Sequence, residues 1–266
     1  MPQYLFHDSL ATTAKAVPDK VAIVAGGGRY TYQELYDSAR CLARGLQDLG
    51  LQRGERVSVY MDNSWSCAVS IYGILLAGGV MMVVNPQTKA EKLSELLWDS
   101  EASFLLTDKA GIEDGLEGRA HLKWILSTAA EADASKQLLS FDEVISNASP
   151  NPIDVGTIPL DLAALIYTSG STGHPKGVMM THQTMVFTMT SVIDYLRLTS
   201  EDRILNVLPL AFSYGLYQLF MSVTLGATLV LEHSFSFPMQ IVEKFKEEQI
   251  TVFPSVPTIF ATLLSL

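Results

Sequence analysis

Cysteine is nearly absent from this chain. Its two examples in 266 residues, Cys41 and Cys67, sit in helix-like contexts with no metal-ligand spacing. That excludes a disulfide framework and a cysteine-based metal site, and it fits a reduced, cytoplasmic compartment. Histidine is sparse too. His7, His121 and His233 are scattered and expected at the surface, and His174 and His182 take no catalytic assignment. Positive charge is in deficit, with 18 Lys and Arg against 28 Asp and Glu and a net charge of −10. The basic residues are dispersed, so nucleic acid is not an expected partner. The N-terminus lacks the basic-then-apolar pattern of a secretory leader. There is no internal repeat and no long low-complexity tract. Residues 64–88 form an uncharged, mostly apolar stretch long enough to span a bilayer. Gly78 and Gly79 interrupt it, and 80–84 is strand-like. The stretch therefore reads as a helix capped by Asn63 and running to Ala77, a stop at Gly78, then a buried parallel strand. No transmembrane segment is expected.

What is present is an α/β pattern. Hydrophobic residues make up 48% of the chain, enough for a large core. Expected strands at 21–25, 29–32, 57–61, 80–84, 103–107, 124–126, 160–167, 178–180, 203–208, 228–231 and 251–253 alternate with helical stretches. Thr31 caps a helix over 32–49, whose apolar face is Leu35, Ala39, Leu42, Leu46 and Leu49. Residues 89–99 and 237–248 are helical, another helix starts after a Thr181 cap, and an apolar helix lies between 208 and 228. Residues 109–121 and 128–157 are polar and read as surface loops and short helices. The alternation predicts a βα-layered fold of mostly parallel, doubly wound sheets.

The chemistry concentrates in residues 167–177, Tyr-Thr-Ser-Gly-Ser-Thr-Gly-His-Pro-Lys-Gly. Thr168, Ser169, Gly170, Ser171, Thr172 and Gly173 form an unbroken run of hydroxyls and glycines, and Lys176 and Gly177 close it. Small residues let an anion approach the backbone. N–H groups and hydroxyls donate to it, and the lysine adds a point charge. The run follows an apolar strand, read as buried, and strand ends are where open α/β sheets bind ligands. This is not a Walker loop, because Pro175 precedes the lysine and Gly177 follows it. A plain flexible loop rarely carries a Pro-Lys-Gly exit between two apolar strands.

The same residues resemble the signature loop of the adenylate-forming enzymes, which include acyl-CoA synthetases, luciferases and peptide-synthetase adenylation domains. The resemblance extends along the whole chain, in order. Residues 30–35, Tyr-Thr-Tyr-Gln-Glu-Leu, are similar to an early Thr-Tyr-x-Glu-Leu segment of that family. Leu75-Leu76-Ala77-Gly78-Gly79 through Asn85-Pro86, Leu106-Thr107-Asp108, and Val256-Pro257-Thr258 match further segments. Residues 208–215, Leu-Pro-Leu-Ala-Phe-Ser-Tyr-Gly, resemble the family's gate motif, and Gly226-Ala227 follow at the expected distance.

The resemblance implies a two-step reaction. A carboxylate attacks the α-phosphate of Mg-ATP, giving an acyl-adenylate and pyrophosphate. A thiol, coenzyme A or a carrier protein's phosphopantetheine, then displaces AMP. The loop's implied task is to hold the β- and γ-phosphates as charge moves onto the leaving pyrophosphate. Thr168, Ser169, Ser171, Thr172 and Lys176 are the implied donors, while Gly170, Gly173 and Gly177 give backbone clearance. Thr168 is also the implied Mg²⁺ contact. Phe212, Ser213, Tyr214 and Gly215 are the implied acid pocket and gate, and Tyr217 reads as an ordinary core aromatic. Ser213 stands where amino-acid activators often carry aspartate. Without that counter-charge a buried ammonium is costly, so a fatty, aryl or other simple carboxylic acid is expected.

In relatives this region holds one βα subdomain, here roughly 57–191, and part of a second, here 1–56 and 192–266. Such enzymes are about twice this length. Their downstream Thr-Glu motif, ribose-binding aspartate motif, hinge and C-terminal lid domain with its catalytic lysine have no counterpart here. The 266 residues alone are therefore expected not to turn over. A second function class is a truncated relative that binds ATP or a partner without catalysis. The intact loop with Lys176, and a chain ending inside a βα unit, favour the ligase.

Overall fold

A computed structural model describes residues 5–116, 121–168 and 176–266. In chain order its helices and strands are α1 (Asp8–Ala16), β1 (Val21–Ala25), β2 (Gly28–Thr31), α2 (Tyr32–Asp48), β3 (Arg56–Tyr60), α3 (Trp65–Leu76), β4 (Val80–Val83), α4 (Ala90–Asp99), β5 (Phe104–Thr107), β6 (Trp124–Ser127), β7 (Leu138–Ser140), α5 (Phe141–Asn147), β8 (Leu162–Thr168), β9 (Lys176–Thr181), α6 (His182–Leu196), β10 (Arg203–Asn206), α7 (Ser213–Leu225), β11 (Thr228–Leu231), α8 (Pro238–Glu247) and α9 (Pro257–Leu264). The chain divides into two compact units. One comprises Met1–Asp8, Asp37–Asp62 and Ser66–Val186, and the other Ser9–Tyr36, Asn63–Trp65 and Phe187–Leu266.

The first unit is built on a seven-stranded sheet in the order β7-β6-β5-β3-β4-β8-β9. Every pair is parallel except β8 with β9. Its central strands are buried on both faces, as parallel sheets require: all four residues of β5 are buried, and four of the five in β3. Helix α3 is apolar all round and buried from Cys67 to Leu75. It stops before Gly78, which holds φ at +81°, and β4 follows. Residues 64–88 are thus a core helix and a strand. No helix among the described residues is long and apolar enough to cross a membrane.

The second unit carries the four-stranded sheet β10-β11-β1-β2, parallel except for β2. The expected cap of α2 forms as a reciprocal box. Thr31 Oγ1 accepts from the Glu34 amide at 3.2 Å, and a Glu34 carboxylate oxygen accepts from the Thr31 amide at 2.7 Å. Tyr32 is fully buried, and its phenol donates to the carbonyls of Ser222 and Ala227. Glu248, just after α8, receives both Arg29 and Arg203. Burial pushes its carboxyl up, and the two guanidiniums outweigh that and hold it below the ordinary value.

Several expectations need correction. Leu160 is 68% exposed, and β8 buries only Ala163 and Ala164. The reason lies beside it: β9 forms the sheet edge, with Val178 and Met179 exposed. The 128–157 stretch contains β7, whose three residues are too few to show an alternating pattern. Residues 251–253 make a single parallel bridge, Ile204 with Val252, rather than a strand. Pro254 follows directly and has no N–H to extend the ladder. Helix α3 begins at Trp65, and Asn63 does not cap it. His7, expected at the surface, is 8% exposed.

Candidate functional site

In the first unit, β8 and β9 are the two arms of an antiparallel hairpin. Thr168 lies opposite Lys176, and Tyr167 opposite Gly177. Ser169, Gly170, Ser171, Thr172 and Gly173 lie outside the described residues, as do His174 and Pro175. The expected phosphate loop is therefore described at its two ends. Thr168, Lys176 and Gly177 are all exposed there.

The first arm is anchored just before the loop. The Tyr167 phenol donates to Asp99 Oδ2 at 2.5 Å, at the last residue of α4. Burial, then this bond, raises the phenol above its ordinary pKa. A Cβ placed on Gly177 would lie 3.2 Å from the Tyr167 ring, so glycine is what lets the ring lie across the opposite strand. The far end of β9 is secured as well. Thr181 Oγ1 accepts from the Thr184 amide at 3.1 Å and caps α6, as its position in the sequence predicts.

His182 opens α6 and is 1% exposed; its Nδ1 accepts from the Phe6 amide at 3.1 Å. His7 meets the His182 ring edge-on, with centroids 5.4 Å apart. Burial first, then the His182 charge, lowers His7 to about 4. Burial likewise lowers His182 to about 4, against the pull of Asp161 and Asp8. Both rings are thus neutral at pH 7, and they hold an N-terminal segment in place.

At the carboxyl ends of β3 and β5, Lys109 pairs with Asp62 and lies 3.2 Å from Asp108. Asp108 also accepts from the Asp62 amide at 2.8 Å. Partial burial lowers the Lys109 pKa, and its bonds to the two carboxylates outweigh that and raise it. The cluster sets one lysine between two carboxylates and ties two strand ends together.

In the second unit, residues 208–215 connect β10 to α7. Phe212 and Tyr214 are half exposed, and Ser213 is the first residue of α7. Gly215 is required by close approach, since a Cβ there would lie 2.5 Å from the Pro209 carbonyl oxygen and 2.8 Å from that of Leu208. Ser213 and Tyr214 line a cavity of about 550 Å³, together with Val192, Leu196, Tyr217, Met221 and Phe253 among others. None of its described lining residues is charged. Phe212 is not in the lining. Tyr217, read as plain core, is buried and faces this cavity, where burial raises its pKa. Two buried asparagines hold the connecting segment: Asn63, which its position marks only as a helix cap, and Asn206, which no motif marks. No local signal shows this role, because Asn63's partners lie 145 to 169 residues away.

Among the described residues no group of three or more His, Cys, Asp or Glu could hold a metal.

The profile of the AMP-binding enzyme family matches residues 10–266. Bacitracin synthase 3 of Bacillus licheniformis is 30% identical over 98% of this chain and 4% of its own length. The 2-succinylbenzoate–CoA ligase of the same species is 30% identical over 96% of this chain and 50% of its own. The chain thus spans half or less of these relatives. Among solved structures, the N-terminal domain of FACL13 from Mycobacterium tuberculosis superposes with a TM-score of 0.90 at 25% identity, covering 99% of this chain and 66% of that one.

Proposed function

The chain belongs to the AMP-binding enzyme family, and from that premise we propose that it activates a carboxylic acid with ATP, giving an acyl-adenylate and releasing pyrophosphate. A thiol then takes the acyl group. Coenzyme A is the proposed acceptor, as the name of the 2-succinylbenzoate–CoA ligase suggests. A carrier protein's phosphopantetheine is the alternative, suggested by the similarity to a peptide synthetase.

The observation that carries this reading is the hairpin. Thr168 and Lys176 face each other across the two arms, so a seven-residue connection rich in Ser, Thr and Gly starts and ends at one fixed point. In this reading Thr168, Ser169, Ser171, Thr172 and Lys176 donate to the β- and γ-phosphates. Gly170, Gly173 and Gly177 leave room for the backbone to approach. Mg²⁺ would neutralise phosphate charge beside Thr168, and the protein's own task is positioning and donation to the leaving pyrophosphate.

The second-unit cavity is read as the place for the acid's apolar part, with Ser213 and Tyr214 in its wall and Phe212 and Gly215 shaping the segment that bears them. The absence of charge in its described lining favours an acid without an ammonium group. ATP–pyrophosphate exchange, measured on the full-length gene product because the 266 residues alone are not expected to turn over, tests this with panels of fatty, aryl and α-amino acids. Exchange driven by an apolar, ammonium-free acid is expected. Exchange driven only by amino acids overturns the substrate class, and no exchange with any acid overturns the activity.

A further inference from the structure

Asn63–Trp65 is a three-residue excursion of the chain into the second unit, flanked on both sides by residues of the first. Its far end is fixed by the Trp65 ring, which stacks on Tyr30 of β2 with centroids 4.0 Å apart and planes 9° apart. Its near end is Asn63, 8% exposed. The Asn63 carboxamide is fully used. Oδ1 accepts from the Leu210 amide at 2.9 Å, and Nδ2 donates to the carbonyls of Leu208 and Glu232, each at 3.0 Å. Asn206, completely buried, grips the same segment through the Leu208 amide at 3.0 Å. Residues 208–210 have no ladder to lie in, so these side chains supply the partners a buried backbone must have.

We propose that Asn63 is a positioning residue. By fixing the conformation of 208–210 it sets where Ser213 and Tyr214 stand in the cavity wall, and so sets acid affinity and selectivity. The consequence for acids rests on the functional reading above, whereas the positioning itself does not. An alanine at 63 leaves one amide and two carbonyls without that partner, and the segment must rearrange to satisfy them.

Hydrogen–deuterium exchange on the protein and its Asn63→Ala variant tests the positioning. Peptides covering 207–212 should lose protection by about tenfold or more, while those covering β1 and β11 keep theirs. Unchanged protection at 207–212, or an equal loss throughout the unit, overturns the proposal. If the alanine variant does not fold, Asn63→Gln keeps the carboxamide but displaces it by one methylene, and it should show the same local loss at smaller size. In pyrophosphate exchange the variant should raise KM for the acid about tenfold and leave KM for ATP unchanged. A lower kcat with unchanged acid KM would mean only less folded enzyme and would overturn the link to selectivity. A wild-type protein that exchanges with no acid sinks the functional reading, yet the deuterium result still decides what Asn63 does.

Discussion

The hairpin of β8 and β9 and the segment 208–215 both present side chains at the end of a strand, but they are held by different means. The hairpin is a ladder running from Leu162 opposite Thr181 to Thr168 opposite Lys176. Its loop inherits fixed ends from that pairing, so the loop can consist of hydroxyls, glycines and one lysine. The segment 208–215 leaves its strand and enters a helix with no ladder beside it. It depends on two distant carboxamides and on a glycine whose neighbours leave no room for a Cβ. A loop closed by a ladder can be pure chemistry. A loop without one needs long-range side chains before it can have any.

The largest effect should come from Lys176→Ala. If Lys176 donates to the leaving pyrophosphate as proposed, its loss should lower the exchange rate about 100-fold or more. Because Lys176 is exposed, urea unfolding should move by no more than about 0.5 kcal/mol. Loss of stability in step with loss of activity would break the contrast between a self-supporting ladder and the chemistry it carries.

The next effect is that of acid, and it should separate the two regions. His7 and His182 are both lowered from 6.5 to about 4. Between those values the unfolded chain binds protons that the folded chain refuses. The stability they contribute is present above pH 6.5 and is lost as pH falls toward 4. For His182 alone this is on the order of 3 kcal/mol. Protonation also removes the Nδ1 acceptor for the Phe6 amide. Asparagine does not titrate, so 207–212 should keep its deuterium protection across the same window while the N-terminal segment loses its own. Equal loss in both regions would erase the distinction.

The smallest effect compares two glycines. Gly215→Ala would put a Cβ 2.5 Å from backbone oxygen and should cost about 2 kcal/mol in urea unfolding. Gly177→Ala meets the Tyr167 ring at 3.2 Å, a side chain that can give way, and should cost about 1 kcal/mol or less. Equal costs would mean that the 208–215 segment is no more tightly constrained than the hairpin.

What was legible in the sequence is what depends on neighbours a few residues apart. The Thr31–Glu34 box, the Thr181 cap, the stop at Gly78 and the alternation of strands with helices all follow from spacing, because their hydrogen bonds close within one turn or one short connection. The hairpin ends at Thr168 and Lys176 were legible for the same reason, as an apolar strand, a run of hydroxyls and glycines and a Pro-Lys-Gly exit in consecutive residues. Tertiary structure alone decided the rest. An asparagine before a helix looks like a cap until its three partners turn out to be a distant loop and a strand end. His7 looks like a surface residue until the fold buries it edge-on against His182. The apolar run before the loop looks fully buried until β9 proves to be the sheet edge. The cavity beside Ser213 comes from residues of α6, α7 and 252–254, which no spacing connects. Local hydrogen bonds are written in the order of the residues. Burial and long-range partners depend on which elements pack together, and that is settled by the free energy of the folded core.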